Sequence, residues 1–197
     1  MFCQEVLNIE WEYLLTNLVY RKISVPVARK LSKTQITPNF VTVVAFIVGS
    51  ASAIAVFYNL ILSVFLIFIS QILDCVDGDL ARISGRVSAK GAYLDRLLDR
   101  FVDFALIFSI SAYSNLWVEG FLALFATLMV PTTRLMAEKE GLSCKIGIAG
   151  RDTRILIIML GLIFSNFGGI LISMWLLIIL GFFTTAQRII LAIRNLD

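Results

Sequence analysis

The chain has 197 residues, of which 59% are hydrophobic and only 16% are charged, and its mean hydropathy is +0.89. Soluble domains contain about 45–50% apolar and about 25% charged residues, so this composition indicates that lipid is the main solvent. It excludes a disordered protein, a collagen-like chain and a disulfide-stapled secreted domain. Three widely spaced cysteines and the absence of histidine exclude the usual Cys/His zinc site and any imidazole-dependent triad. Any bound metal must therefore have oxygen ligands.

Residues 1–38 form the first of two predicted units. Glu5, Glu10 and Glu12 interrupt any apolar stretch, so this unit is not expected to be a signal peptide. The stretch 11–31 mixes aromatic and aliphatic residues with basic ones, which is typical of an interfacial amphipathic helix lying against anionic headgroups. An ordinary amphipathic helix of a soluble protein is the alternative.

Residues 39–197 are predicted to form one transmembrane domain. The uncharged stretches 34–73 and 155–187 are each long enough for two spans, because about 20 apolar residues cross a hydrocarbon core. Breaks near Asn59 and at residues 165–169 divide these stretches. Two further spans fit between them, over residues 91–113 and 117–137. The expected fold class is therefore an all-α integral membrane protein with six transmembrane helices preceded by an interfacial amphipathic helix.

Lysine and arginine cluster in alternate connections. Basic residues precede the first span, lie between the second and third and between the fourth and fifth, and close the chain, whereas the other three connections contain none. Because basic loops stay on the cytoplasmic side, both termini and the basic connections are expected to face the cytoplasm.

Six aspartates break the membrane pattern at the ends of the second and third predicted spans: Asp74, Asp77, Asp79, Asp95, Asp99 and Asp103. An aspartate at the centre of a spanning helix costs roughly 2.5–3.5 kcal/mol. The six therefore require a water-filled cavity, bound cations or arginine partners.

The spacing of these residues places them on two helical faces. Positions 74, 77, 78 and 81 share one face, and positions 91, 95, 99 and 103 recur at every fourth residue on another. The connecting turn 83–90 is short, so the two helices are expected to be antiparallel neighbours. Gly78 and Gly91 should then allow close approach of their backbones. Converging carboxylates repel one another, and all-oxygen ligation suits Mg²⁺, Mn²⁺ or Ca²⁺.

The same segment reads D-x2-D-G-x2-A-R-x8-G-x3-D-x3-D from Asp74 to Asp99. In this pattern the chain resembles the CDP-alcohol phosphotransferase family. The Thr37-Pro38-Asn39 start of the first span, the six spans and the cytoplasmic termini extend the resemblance over most of the chain. The resemblance implies an enzyme in which an acceptor hydroxyl attacks the β-phosphorus of a CDP-linked alcohol and CMP leaves.

The resemblance also implies roles for single residues. The cofactors would be two divalent metal ions, Mg²⁺ or Mn²⁺, held by Asp74, Asp77, Asp95 and Asp99. Asp99 would also be the catalytic general base. The residues implied to bind the CDP donor are Gly78, Ala81, Arg82 and Gly91. Asp79 and Asp103 are expected to form local ion pairs with Arg82 and Arg100, and a substrate-side role for Asp103 stays open.

Arg134, Arg151 and Arg154 lie between the end of the fourth span and the start of the fifth, and Arg188 lies in the C-terminal region. In these basic positions the chain resembles the branch of the family that uses an inositol phosphate acceptor. The matching basic residues, which would bind the acceptor, are Arg134, Arg151, Arg154 and Arg188. Several arginines suit an acceptor that carries its own phosphate. Met136 departs from the branch, which usually has a second basic residue there. The alternatives are that these arginines only follow the positive-inside rule, or that the acceptor is glycerol 3-phosphate or serine.

The identity of the donor stays open. CDP-diacylglycerol or CDP-archaeol would give an inositol phospholipid phosphate, whereas CDP-inositol would give a di-inositol phosphate, made by similar domains often fused to a cytidylyltransferase. The resemblance also implies a homodimer in the inner membrane of a prokaryote, in contact with membrane lipid and with no nucleic-acid partner. The rival from another class is a divalent-cation transporter, which explains the acids but not the glycine, alanine and arginine at fixed spacing.

Overall fold

The computed structural model describes residues 20–142 and 146–196, and every regular element in these ranges is helical. The helices are α1 (Arg21–Leu31), α2 (Pro38–Ala55), α3 (Leu60–Ile83), α4 (Ala89–Ser114), α5 (Trp117–Lys139), α6 (Arg151–Ile163) and α7 (Gly169–Asn195), with a 3₁₀ turn at Ser165–Phe167. The all-helical class predicted from the sequence is confirmed.

Local capping residues set several helix starts. The side chains of Thr37, Asn59 and Ser88 each accept a hydrogen bond from an amide in the first turn of α2, α3 and α4. Pro38 occupies the first turn of α2, where a missing N–H costs nothing. The breaks predicted near Asn59 and at residues 165–169 therefore coincide with helix boundaries.

Contacts between neighbouring helices connect these elements into one bundle. α2 packs against both α3 and α4, α5 and α6 pack against α7, and α1 packs against α3. The main apolar cluster includes Ile67, Leu106, Ile155 and Met174, from four different helices. A Cβ at Gly181 of α7 would lie 2.9 Å from the Cβ of Ala126 in α5, so only glycine permits this approach. In lipid, such close contacts between small residues replace the hydrophobic effect as the source of helix association.

Within the described ranges, α3 and α4 make few direct contacts with each other, so the predicted close approach of these helices was wrong. A Cβ at Gly78 would lie 3.0 Å from Nη2 of Arg82 in its own helix, and a Cβ at Gly91 would lie 2.9 Å from Oδ1 of Asn39 in α2. Neither glycine therefore serves an α3–α4 contact. α2 packs against both helices, so their backbones stay apart and their acidic side chains meet instead.

Within residues 20–142 and 146–196, four helices are long and apolar enough to cross a membrane, as an integral membrane protein requires: α2, α3, α5 and α7. α4 has 26 residues but carries the charged groups of the acidic segment, and α6 has 13 residues. Thirteen residues span about 20 Å at about 1.5 Å each, less than the roughly 30 Å of a hydrocarbon core. The helices α2 to α7 lie where the six spans were predicted. That all six cross the membrane stays a prediction.

The predicted amphipathic helix over residues 11–31 is described only in part, because residues 11–19 lie outside the described residues. In α1, Ser24 and Ala28 are fully buried. Ala28 belongs to a second apolar cluster with residues of α2 and α3. α1 is thus seated on the helix bundle, and its contact with a membrane surface stays a prediction.

Candidate active site

Three carboxylates converge between α3 and α4. One oxygen atom each from Asp74, Asp95 and Asp99 lies within 4.8 Å of the others. Asp95 and Asp99 are one turn apart on α4, and Asp74 faces them from α3. Negative charges this close repel one another, and carboxylate oxygens are the ligands that Mg²⁺ and Mn²⁺ prefer. The group could therefore hold a divalent cation.

Asp77, the fourth predicted metal ligand, lies outside this group of three. Its side chain is buried, and its Oδ2 has no hydrogen-bond partner in the described part of the chain. A buried carboxylate oxygen without a donor is costly. It borders the same cavity as Asp95, so a cation bound there would satisfy it. The donor set, all oxygen and partly unsatisfied, fits a divalent metal.

Arg151, the first residue of α6, contacts the acidic group directly. Its Nη1 donates a hydrogen bond to Oδ2 of Asp74 at 2.9 Å, and its Nη2 lies 2.8 Å from Oδ1 of Asp99. Its Nε lies 3.8 Å from Oδ1 of Asp103. Arg151 therefore joins α6 to both acidic helices and offsets part of their negative charge.

A cavity of about 320 Å³ opens between α2, α3 and α4, and we call it the donor cavity. All four predicted donor-binding residues line it: Gly78, Ala81, Arg82 and Gly91. Arg82 donates from Nε to the carbonyl oxygen of Gly78 at 3.0 Å, and most of its side chain is exposed. The sequence interpretation missed Asn39 and Thr42 of α2, which also line the cavity. Both are polar side chains in the otherwise apolar helix α2, and this feature of the sequence could have indicated a role in the site.

A second cavity, of about 450 Å³, opens between α4, α5, α6 and α7, and we call it the acceptor cavity. All four predicted acceptor-binding residues line it, together with two arginines of α4: Arg134, Arg151, Arg154, Arg188, Arg96 and Arg100. Its acidic lining residues are Asp99, Glu138 and Asp152. The excess of guanidinium groups favours an anionic ligand. Asp99 belongs both to the carboxylate group and to this cavity wall.

Two of these arginines are more deeply buried than a binding role alone requires. Arg154 is 4% exposed and donates from Nη1 to the carbonyl oxygen of Ala149 at 2.9 Å. Arg188 is 2% exposed and donates to the carbonyl oxygens of Ile146 and Val130, each at 2.7 Å. Both arginines therefore fix the segment before α6. The sequence interpretation weighed acceptor binding against the positive-inside rule and missed this structural role.

Comparison with known proteins shows which family the chain belongs to. Residues 35–187 match the family model described as CDP-alcohol phosphatidyltransferase. The chain belongs to that family. The archaetidylinositol phosphate synthase of Pyrococcus horikoshii is 33% identical to the enzyme over 174 residues, which cover 87% of this chain and 91% of that protein. The bifunctional IPC transferase and DIPP synthase of Archaeoglobus fulgidus is 35% identical over 155 residues, which cover 74% of this chain and 31% of that protein.

The enzyme is also similar to a solved structure, the phosphatidylinositol phosphate synthase of Mycobacterium tuberculosis with CDP-DAG bound. The TM-score is 0.78 at 26% identity, and the match covers 87% of this chain and 94% of that one. The same protein has been solved in complex with manganese and citrate. The family and the transferase chemistry predicted from the motif are confirmed, and the cation-transporter alternative is not supported.

The two aspartates of the acidic segment outside the predicted metal site are buried and paired. Oδ2 of Asp79 accepts a hydrogen bond from the hydroxyl of Ser24 in α1, and its Oδ1 lies 3.8 Å from Nη2 of Arg82. Oδ2 of Asp103 lies 3.3 Å from Nη1 of Arg100. Both predicted local ion pairs are confirmed. The bond from Ser24 also ties α1 to the segment that carries the motif.

Tyr20, just before α1, is a buried tyrosine. Burial, reinforced by the negative charge of Asp152, raises the pKa of the Tyr20 phenol to about 12. The phenol therefore stays neutral near pH 7 and is a poor proton acceptor. Asp99 remains the better candidate for the general base.

Proposed function

We propose that the enzyme transfers a substituted phosphate group from a CDP-linked alcohol to a hydroxyl of an inositol phosphate, with release of CMP. The observation that carries this proposal is the acceptor cavity, in which six arginines surround a wall formed in part by Asp99. Its charge suits an acceptor that bears its own phosphate. The likeness to an archaetidylinositol phosphate synthase and a phosphatidylinositol phosphate synthase supports the same acceptor class.

The CDP part of the donor is proposed to bind in the donor cavity. Gly78 leaves the cavity wall free of a side chain, and the exposed guanidinium of Arg82 is placed to meet a donor phosphate. Ala81 and Gly91 also line the cavity, and their small size leaves its volume free for the donor. A lipid-linked donor, CDP-archaeol or CDP-diacylglycerol, is supported by the likeness to two lipid synthases along most of their length.

Asp74, Asp77, Asp95 and Asp99 are proposed to hold two divalent cations, Mg²⁺ or Mn²⁺. Support comes from the three converging oxygens and the unsatisfied Oδ2 of Asp77. When bound, such ions supply positive charge that balances the pyrophosphate and the leaving phosphate. Without that charge the aspartates would repel both anionic substrates.

Asp99 is proposed to accept the proton of the acceptor hydroxyl, because it lies at the boundary between the carboxylate group and the acceptor cavity. The acceptor oxygen then forms a bond to the β-phosphorus of the donor while the bond from that phosphorus to CMP breaks. The arginines of the cavity hold the acceptor phosphate and so orient its hydroxyl toward the donor, which supplies part of the rate enhancement. No covalent enzyme intermediate is required.

The membrane arrangement proposed for this chemistry is a domain of six spans over residues 39–197, with α4 as one of the two further spans. The other is α6, which is too short to cross the hydrocarbon core alone, continued by the 3₁₀ turn Ser165–Phe167. Both termini and the active site would face the cytoplasm, because the acidic segment adjoins the basic connections. α1 would lie at the membrane surface, with basic residues on its exposed face. The enzyme is proposed to act as a homodimer.

CMP release by purified enzyme in detergent with Mg²⁺ tests the proposal. The donors would be CDP-archaeol, CDP-diacylglycerol and CDP-inositol, each with inositol phosphate, glycerol 3-phosphate or no acceptor. Release that depends on inositol phosphate and on a lipid donor is expected, and Asp99→Asn is expected to abolish it. Release that depends on glycerol 3-phosphate alone would refute the inositol assignment, and the best donor identifies the product.

A further inference from the structure

Asp103 lies one turn beyond Asp99 on α4, and it is 2% exposed. It is outside the residues that line the donor and acceptor cavities. Its two oxygens nevertheless contact three guanidinium groups. Oδ2 lies 3.2 Å from Nη2 of Arg154 and 3.3 Å from Nη1 of Arg100, and Oδ1 lies 3.8 Å from Nε of Arg151.

All three of these arginines line the acceptor cavity. The lining of the acceptor cavity as a whole contains six arginines and three acidic residues, so an anion can still be attracted when Asp103 contacts three of the arginines. Nε of Arg151 and Nε of Arg154 have no hydrogen-bond partner among the described residues, and both atoms are buried. Removal of the Asp103 charge would strengthen the repulsion among the three cations and loosen their orientations, although Asp74 and Asp99 would still hold Arg151. Arg154 would keep its hydrogen bond to the carbonyl oxygen of Ala149.

Arg151 extends the consequence to the reacting group, because it also contacts Asp99 at 2.8 Å. A change in the position of Arg151 therefore affects the candidate general base and the cavity wall together. Asp103 contacts this arginine at Nε, whereas Asp74 and Asp99 contact its terminal nitrogens.

We propose that Asp103 is a positioning residue for the acceptor: it orients Arg100, Arg151 and Arg154 toward the acceptor phosphate and does not touch the acceptor itself. The inference rests on the proposed function and deepens it, since it assigns the buried aspartate of the acidic segment to recognition of the anionic group. It makes the acceptor phosphate site dependent on a negative charge outside the cavity.

Asp79 provides a matched control on the other side of the site. It is also a buried aspartate, and it contacts two arginines, Arg21 and Arg82, each at 3.8 Å. Of these, Arg82 lines the donor cavity. An asparagine at position 79 therefore removes a similar buried charge without acting on the arginines of the acceptor cavity.

The test is a comparison of Asp103→Asn and Asp79→Asn in detergent, with the KM of each substrate measured by CMP release. Loss of a charge-assisted contact is worth about 1.5–3 kcal/mol, so Asp103→Asn is expected to raise the KM for inositol phosphate by about 10- to 100-fold. The KM for the donor should stay within about twofold. Asp79→Asn should leave the KM for inositol phosphate within about twofold of wild type.

Asp103→Glu keeps the negative charge and shifts its position, so its KM for inositol phosphate should lie between those of wild type and Asp103→Asn. This variant carries the test alone if the asparagine variant does not fold. The inference would be overturned if the variants that fold had an unchanged KM for inositol phosphate. It would also be overturned if the KM for inositol phosphate and the KM for the donor rose equally. A general structural defect would produce the second result together with a lower Tm.

The two proposals fail in different ways. A wild-type enzyme that releases no CMP with inositol phosphate would refute the proposed function before any variant is compared. A wild-type enzyme that is active with this acceptor, while the variants at position 103 show no selective effect on its KM, would refute the role of Asp103 only. Calorimetric binding of inositol phosphate to wild type and Asp103→Asn in the absence of donor should show the same loss of affinity.

Discussion

Gly78 lies inside α3 and on the wall of the donor cavity, so one substitution there should change stability and activity in opposite directions. An alanine Cβ would lie 3.0 Å from Nη2 of Arg82, the far end of a flexible and largely exposed side chain. Alanine is favoured over glycine in a helix interior by about 0.8–1.0 kcal/mol. Gly78→Ala is therefore expected to raise the Tm by about 2–4 °C for a chain of this size.

The same methyl group should impair donor binding. It occupies space in the donor cavity and pushes Nη2 of Arg82 aside, while the hydrogen bond from Nε of Arg82 to the carbonyl oxygen of Gly78 can remain. Loss of one charge-assisted contact with a donor phosphate costs about 1.5–3 kcal/mol. The KM for the CDP donor should therefore rise about tenfold or more, while the KM for the acceptor stays unchanged.

Gly85→Ala is the control for this prediction. Gly85 has φ of +66°, and within the described part of the chain its Cβ position meets no atom within 4 Å. It lies in the turn between α3 and α4, outside the lining of both cavities. Backbone strain at positive φ should lower its Tm and leave both KM values unchanged. Differential scanning fluorimetry and CMP release measure the two effects, and a Gly78→Ala enzyme with an unaltered donor KM would refute the reasoning.

Three further predictions follow from the site. A chelator should stop CMP release, and added Mg²⁺ or Mn²⁺ should restore it. Asp74→Asn should raise the Mg²⁺ concentration that gives half of the maximal rate by at least about tenfold. A rate that survives exhaustive chelation would contradict the metal assignment. Arg188→Lys cannot keep both of the hydrogen bonds that the guanidinium donates to carbonyl oxygens. The Tm should therefore fall and the KM for the acceptor should rise about tenfold. Wild-type values of both quantities would argue against the role assigned to Arg188. Thr184→Val removes the oxygen that accepts from the amide of Ala149, at a cost of about 1 kcal/mol that a lower Tm in detergent should reveal. An unchanged Tm would show that this bond does not hold the segment before α6.

The helices and the chemistry of the site could be predicted because their determinants are local. Asn59 caps the helix that follows it, and the break at residues 165–169 is a cluster of small and polar residues within an apolar stretch. A spacing of four residues places Asp95 and Asp99 on one face of α4 whatever surrounds that helix. The full pattern D-x2-D-G-x2-A-R-x8-G-x3-D-x3-D, of which these residues are part, was sufficient to identify the family.

The remaining features depend on contacts between distant parts of the chain. The separation of α3 and α4 is set by α2, and a pattern within the two acidic helices carries no information about it. The hydrogen bond from Ser24 to Asp79 joins residues 55 apart, and Arg188 reaches a carbonyl 42 residues before it. An arginine near a membrane surface looks the same in a sequence whether it binds a ligand or supports a loop.

The most direct test of the central claim uses a CDP-linked lipid donor labelled with ³²P at the β-phosphorus, incubated with enzyme, Mg²⁺ and inositol phosphate. Attack by an acceptor hydroxyl at that phosphorus predicts that all of the label appears in the new phosphodiester of the lipid product and none in CMP, and that Asp99→Asn forms no labelled product. Label that is found in CMP or CDP, or in inorganic phosphate independently of the acceptor, would contradict transfer between the donor and acceptor cavities.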